Sequence, residues 1–140
     1  MKSSFNPIVL AVTLAACMAP GTAAAAPPAN LAGTTWTVQA NRNTVQLVIN
    51  TQAAEGAPFQ AICRTINGEI GIAPIRGWYC PSTGRIHFKH NNVNSDVTVR
   101  IFTGNLSDDV PGQPLYMAGT MTVVNTGFGN LGEFNFSAVK

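Results

Sequence analysis

From Thr34 onward, apolar side chains recur at every second residue in short runs, and no long segment repeats them at helical period. That alternation restricts the chain to strands with one buried and one wet face. Trp36 and Val38 oppose Thr35 and Thr37, and Val45, Leu47 and Ile49 oppose Gln46, Val48 and Asn50. Ile86, Phe88 and His90 oppose His87 and Lys89. Val97, Val99 and Ile101 oppose Thr98, Arg100 and Thr103, with a one-residue slip at Phe102 of the kind a bulge or a strand end produces. Leu115, Met117, Gly119, Met121 and Val123 alternate with Tyr116, Ala118, Thr120 and Thr122, and Phe134, Phe136 and Ala138 with Glu133, Asn135 and Ser137.

Turn-forming residues separate these runs. Asn41-Arg42-Asn43 suits a hairpin and Pro81-Ser82-Thr83-Gly84 a tight connection. Asn91 to Ser95 is a polar break, and Ser107 to Pro114 and Asn125 to Gly132 are longer loops. Between Ala53 and Ile75, Gly56, Pro58, Gly68, Gly71 and Pro74 are expected to interrupt any long element. Parallel strands would need helical crossovers that the pattern lacks, so the expected fold is all-β: an antiparallel barrel or sandwich of about seven to eight strands, mostly consecutive hairpins. Barrel and sandwich remain alternatives here.

The first residues read as an export signal. Lys2 precedes the apolar run Ile8 to Ala16, too short for a membrane-spanning helix of about 20 residues. Ordinary cleavage would fall after Ala24 or Ala25, making residues 1–25 a signal peptide and 26–30 a flexible Pro/Ala linker before a single domain, 31–140. Alternatively, Leu14-Ala15-Ala16-Cys17 resembles a lipoprotein box, with signal 1–16 and Cys17 acylated at the mature N-terminus. Cys17 leaves the thiol count on either route, so Cys63 and Cys80 have one possible intramolecular pairing, and a disulfide is expected there ahead of two free thiols or a redox pair. The expected location is periplasmic or secreted, or the outer membrane if Cys17 is acylated.

The segments Leu31-Ala32-Gly33-Thr34-Thr35-Trp36-Thr37-Val38, Leu115 to Val123 and Gly132 to Ala138 resemble the opening, late and closing strands of small lipocalin-like or avidin-like barrels. The resemblance implies consecutive hairpins around a central cavity, with Trp36 near a closed floor. An avidin-like biotin site needs several tryptophans around the ligand. Only Trp36 and Trp78 exist here, and no biotin-contacting position carries over.

Reactive constellations are sparse. Eight Lys and Arg against six Asp and Glu, with no dense basic run, argue against a nucleic-acid partner. His87 and His90 fall on opposite strand faces and cannot share a metal without a bend. Asp96, Asp108 and Asp109 lack calcium-loop spacing, and Glu55, Glu69 and Glu133 form no evident acid/base pair. Ser82 and Ser95 lack a nucleophile-elbow context. No catalytic residue, metal or cofactor is therefore expected. Arg85, His87 and Lys89 share a face and are the candidate contact for an anion or a protein partner.

The expected function is non-enzymatic: an envelope or secreted β domain that meets an envelope or host protein. The alternative is a barrel for a small apolar or amphipathic ligand, and an enzyme of unknown class ranks last. Inward Phe88, Phe102, Leu115 and Met117, with Met121, Phe134 and Phe136, are bulky enough to fill a small barrel, which favours the first reading. Any membrane attachment is expected through an acyl chain on Cys17.

Overall fold

The computed structural model describes residues 25–54, 62–91 and 98–140. Residues 1–24 with Cys17, together with Glu55, Gly56, Pro58, Asn92 to Ser95 and Asp96, lie outside the described residues. The described chain forms eight strands: β1 (Thr34–Ala40), β2 (Asn43–Gln52), β3 (Arg64–Ile70), β4 (Ala73–Cys80), β5 (Arg85–Asn91), β6 (Thr98–Leu106), β7 (Tyr116–Asn125) and β8 (Gly129–Val139). Each pairs antiparallel with the next, and β8 returns to β1, closing a barrel. Closure removes the unpaired edges that a sandwich would leave.

Two sequence expectations need correction. The stretch Ala53 to Ile75 holds all of β3 and the start of β4. Gly71 does end β3, at the turn into β4, but Gly68 sits inside β3 as a contact point, as does Gly77 further along in β4. A side chain at Gly68 would meet the Val48 carbonyl, and one at Gly77 would meet the His87 carbonyl and Phe88. Both are places where neighbouring backbone crowds the barrel's inner face. The phase of β6 is also reversed. Its pairing to β5 and β7 runs unbroken through Phe102, so no slip occurs there. Phe102 and Leu106 are buried, and the unbroken alternation places Arg100 on their inward face while Val99 and Ile101 point outward.

Cys63 and Cys80 are bonded. They join the foot of the β3–β4 hairpin, one residue beyond the Arg64–Tyr79 pair. The bond thus clamps a hairpin rather than closing an irregular loop.

That foot belongs to the closed end. Residues 26–30, expected as a linker, carry fixed contacts here: the Tyr79 hydroxyl donates to the buried Pro28 carbonyl at 2.6 Å, the Gln52 amide donates to the Ala29 carbonyl at 2.9 Å, and the Asp109 amide donates to the Ala26 carbonyl at 2.8 Å. Leu31 follows as a fully buried side chain in the same core as Trp36, Leu47, Ile49 and Ile66. Trp36 is itself fully buried, its indole N–H donating to Thr34 Oγ1 at 2.9 Å.

Candidate functional site

Inward residues form rows across the barrel because paired strands bring them side by side. The row of Gly77, Phe88, Phe102, Met121 and Phe134 crosses its middle. Gly77 leaves room for the Phe88 ring, which stacks on Phe102 at 4.7 Å with planes 12° apart. Phe102 then meets Phe136 edge-on at 5.3 Å. These rings cap the packed core. Above them the barrel is not filled: a cavity of about 450 Å³ opens at the end carrying the β1–β2, β3–β4 and β7–β8 turns. Its volume falls within the roughly 300–1,000 Å³ of small-molecule sites.

The next row toward the opening is chemically different. β5, β6 and β7 place His90, Arg100 and Val123 side by side. Most of the remaining wall is apolar, from Ala40, Val45 and Ile70 to Phe134. Arg100 is half-buried, and His90 is buried at 8% exposure. Arg100 Nη1 lies 3.5 Å from His90 Nδ1, a long hydrogen bond. A guanidinium can only donate, so Nδ1 accepts and the imidazole proton sits on Nε2. Burial, reinforced by the Arg100 charge, holds the His90 pKa below its usual 6.5, so the imidazole is neutral at pH 7.

The cup therefore carries one permanent cation and, among the described lining residues, no carboxylate. An arginine has five N–H donors, and among the described residues His90 engages one. The others suit an incoming oxyanion, because a guanidinium matches a carboxylate, sulfonate or phosphate with paired charge-assisted bonds. Apolar walls below and beside it suit a hydrocarbon or aromatic body. At the rim, Leu131 is the extra residue of a β-bulge between the Val123–Gly132 and Val124–Asn130 pairs, which leans it over the opening.

The residues singled out in the sequence lie elsewhere. Arg85, His87 and Lys89 share the outer face of β5, with Arg76 paired opposite Lys89. His87 stacks on Trp78 at 5.4 Å, and its Nδ1 lies 3.0 Å from Thr103 Oγ1. His87 and His90 point to opposite faces, as period-two alternation requires. Sequence reasoning missed Arg100. The signal available was its phase with Phe102, Gly104 and Leu106, partly hidden because Gly104 adds no apolar mark.

No protein-family model matches the chain, and no curated protein matches it either. In general architecture it is a small β-barrel like the lipocalins, closed at one end and hollow at the other.

Proposed function

We propose that this is an exported, non-enzymatic binding protein whose open barrel end holds a small amphipathic anion, head group on Arg100 and His90 and apolar body against Phe102, Met121 and Phe134. The observation that carries this reading is Arg100, which among the described residues has no carboxylate partner, in a mostly apolar cup. Taking a cation partly out of water without a counter-ion costs stability, and an anionic ligand would offset that cost. Export is supported by the Cys63–Cys80 bond, which persists in oxidising compartments. The lipocalin-like plan agrees with a ligand at the open end.

The test compares decanoate with decanol by calorimetry. Decanoate should bind the wild type, and Arg100→Met, which keeps the apolar stem, should weaken it by roughly 10–100-fold, the worth of a charged hydrogen bond of about 1.5–3 kcal/mol. Decanol should bind both forms alike. Equal decanoate affinity in both proteins would remove Arg100 from the site.

A second reading has its own observation. Arg76, Arg85 and Lys89, with the Trp78–His87 stack, form a basic strip on the outer wall that suits an acidic envelope or host protein. For this reading, Arg76→Gln/Lys89→Gln should elute from a heparin column at distinctly lower salt than the wild type while still binding decanoate.

A further inference from the structure

The open end exposes apolar side chains where a soluble barrel has no packing use for them. Ile72 is 82% exposed at the tip of the β3–β4 turn, Phe128 is 85% exposed in the β7–β8 turn, and Leu131 is 52% exposed on the rim. Around a ring of eight strands, the β3–β4 and β7–β8 turns stand four strands apart, on opposite sides of the mouth.

These positions are held, not frayed. Buried Asn125 receives the Gly127 and Phe128 amides on Oδ1 at 2.8 and 3.1 Å, and its Nδ2 donates to Thr98 Oγ1 at 3.2 Å. A buried polar side chain thus serves to fix a turn that projects a phenylalanine into water. In the β3–β4 turn, the Gly71 amide donates to the Gln46 carbonyl at 2.8 Å, which sets Ile72 outward. The β1–β2 turn adds a cation. Asn41 and Arg42 have φ of 45° and 63°, so Arg42 occupies the left-handed position where such turns favour glycine. None of the described residues in these three turns is acidic.

From these positions we infer that the mouth docks on a lipid bilayer bearing anionic head groups, with Ile72, Phe128 and Leu131 entering the interface and Arg42 meeting phosphates. A protein partner suits the rim less well, because its interface core is a contiguous apolar patch. Here Ile72 and Phe128 are separated by the width of the mouth, with polar Asn41, Asn43 and Thr126 on the same rim. Separate apolar anchors inserting between lipid head groups need no such continuity, and a basic side chain beside them gains from the negative surface potential. The cup would then face the bilayer directly, so an amphipathic anion could pass between membrane and barrel without crossing water. This purpose rests on the ligand reading above. The docking itself does not, and it is distinct from any acyl chain on Cys17.

The experiment is flotation of the exported protein carrying Cys17→Ser, which removes any acyl anchor, with vesicles of phosphatidylcholine alone or with 30% phosphatidylglycerol. The protein should float with the mixed vesicles, and Ile72→Ser/Phe128→Ser should reduce the partition coefficient at least tenfold. Arg42→Gly should weaken binding to the mixed vesicles only and flatten its salt dependence. Decanoate binding in solution should stay within twofold in both variants, which shows that they are folded. Docking is overturned if the parent protein does not float, if the double variant floats equally well, or if the parent is a dimer that the double variant converts to a monomer. Arg100→Met separates the two readings: loss of decanoate binding with flotation intact supports docking, whereas loss of flotation in Arg100→Met overturns the assignment to the rim.

Discussion

Replacing Cys63 and Cys80 together by serine removes a cross-link whose effect can be worked out from its place in the chain. The two residues are separated by 17 positions, so the bond closes a loop of about 18 residues in the unfolded chain. The loop-entropy relation gives about −11 cal/mol/K for that length, or ~3 kcal/mol at 25 °C. The native state adds little strain relief on removal, since β3 and β4 are already paired from Arg64–Tyr79 to Ile70–Ala73. The 115 residues from Ala26 to Lys140, at ~2.1 cal/mol/K of unfolding entropy per residue, should therefore lose ~13 °C in Tm. Calorimetry and urea unfolding of the wild type, the reduced wild type and Cys63→Ser/Cys80→Ser measure this. The midpoint should fall with the m-value nearly constant for the variant against the reduced wild type. Decanoate affinity well below Tm should change less than threefold, because hydrogen bonding to β2 and β5 keeps Ile70 in the cup wall. Oxidised and reduced protein with equal midpoints would refute the account, and so would a large loss of decanoate binding in the still-folded variant.

Other outcomes follow from three single groups. Because His90 is held below its usual pKa, the unfolded chain binds a proton first as pH falls, and stability should decline from about pH 6.5 toward the lower native value. Protonation also puts a second cation beside Arg100, so an anilinonaphthalene sulfonate probe, charged throughout, should bind tighter once the pH falls below the lowered His90 pKa; His90→Gln should flatten both slopes in melting and fluorescence titrations. Burial, and next the negative Asp109, push the Tyr79 phenol up to about 12, so the unfolded state ionises first and stability should fall between pH 10 and 12, a loss absent from Tyr79→Phe. At pH 7 that variant should be about 1–2 kcal/mol less stable by chemical unfolding, since the buried Pro28 carbonyl loses its donor. Arg42→Gly should gain roughly 0.5–1 kcal/mol in the same assay, as relief of the left-handed backbone outweighs the flexibility glycine adds to the unfolded chain.

The parts of the fold legible in the sequence are those whose inner faces carry side chains. β1, β2, β5, β7 and β8 declare themselves because Trp36, Leu47, Phe88, Met121 and Phe136 mark alternate positions. β3 and β4 are obscured where Gly68 and Gly77 occupy inward positions, a demand of neighbouring backbone that local pattern does not express. β6 misleads in the opposite way. Its half-buried outer residues Val99 and Ile101 look like a core face, while the inner face carries Arg100 and Gly104. Only pairing across strands resolves the phase, since Phe88 opposite Phe102 forces Arg100 beside His90. The cup was illegible for that reason: its defining residue reads locally as an outward one.

Several departures from local rules lie together at the mouth of the barrel. Arg100 sits on the core face, Arg42 takes a glycine conformation, and Ile72 and Phe128 stand in water, all at the mouth. The other end exposes apolar side chains too, Ile62 and Tyr116 among them, but there Trp36 and Tyr79 are buried with their polar atoms bonded, residues 26–30 hydrogen-bond to Tyr79, Gln52 and Asp109, and the disulfide clamps the hairpin foot. Such features reduce stability locally and persist where something other than folding selects them. The staple and the packed floor offset that cost from a distance, without touching the cup. Stability and recognition are thereby divided along the barrel axis, which is why a mouth variant such as Arg42→Gly is expected to gain stability as it loses affinity for the membrane, whereas loss of the staple should do neither.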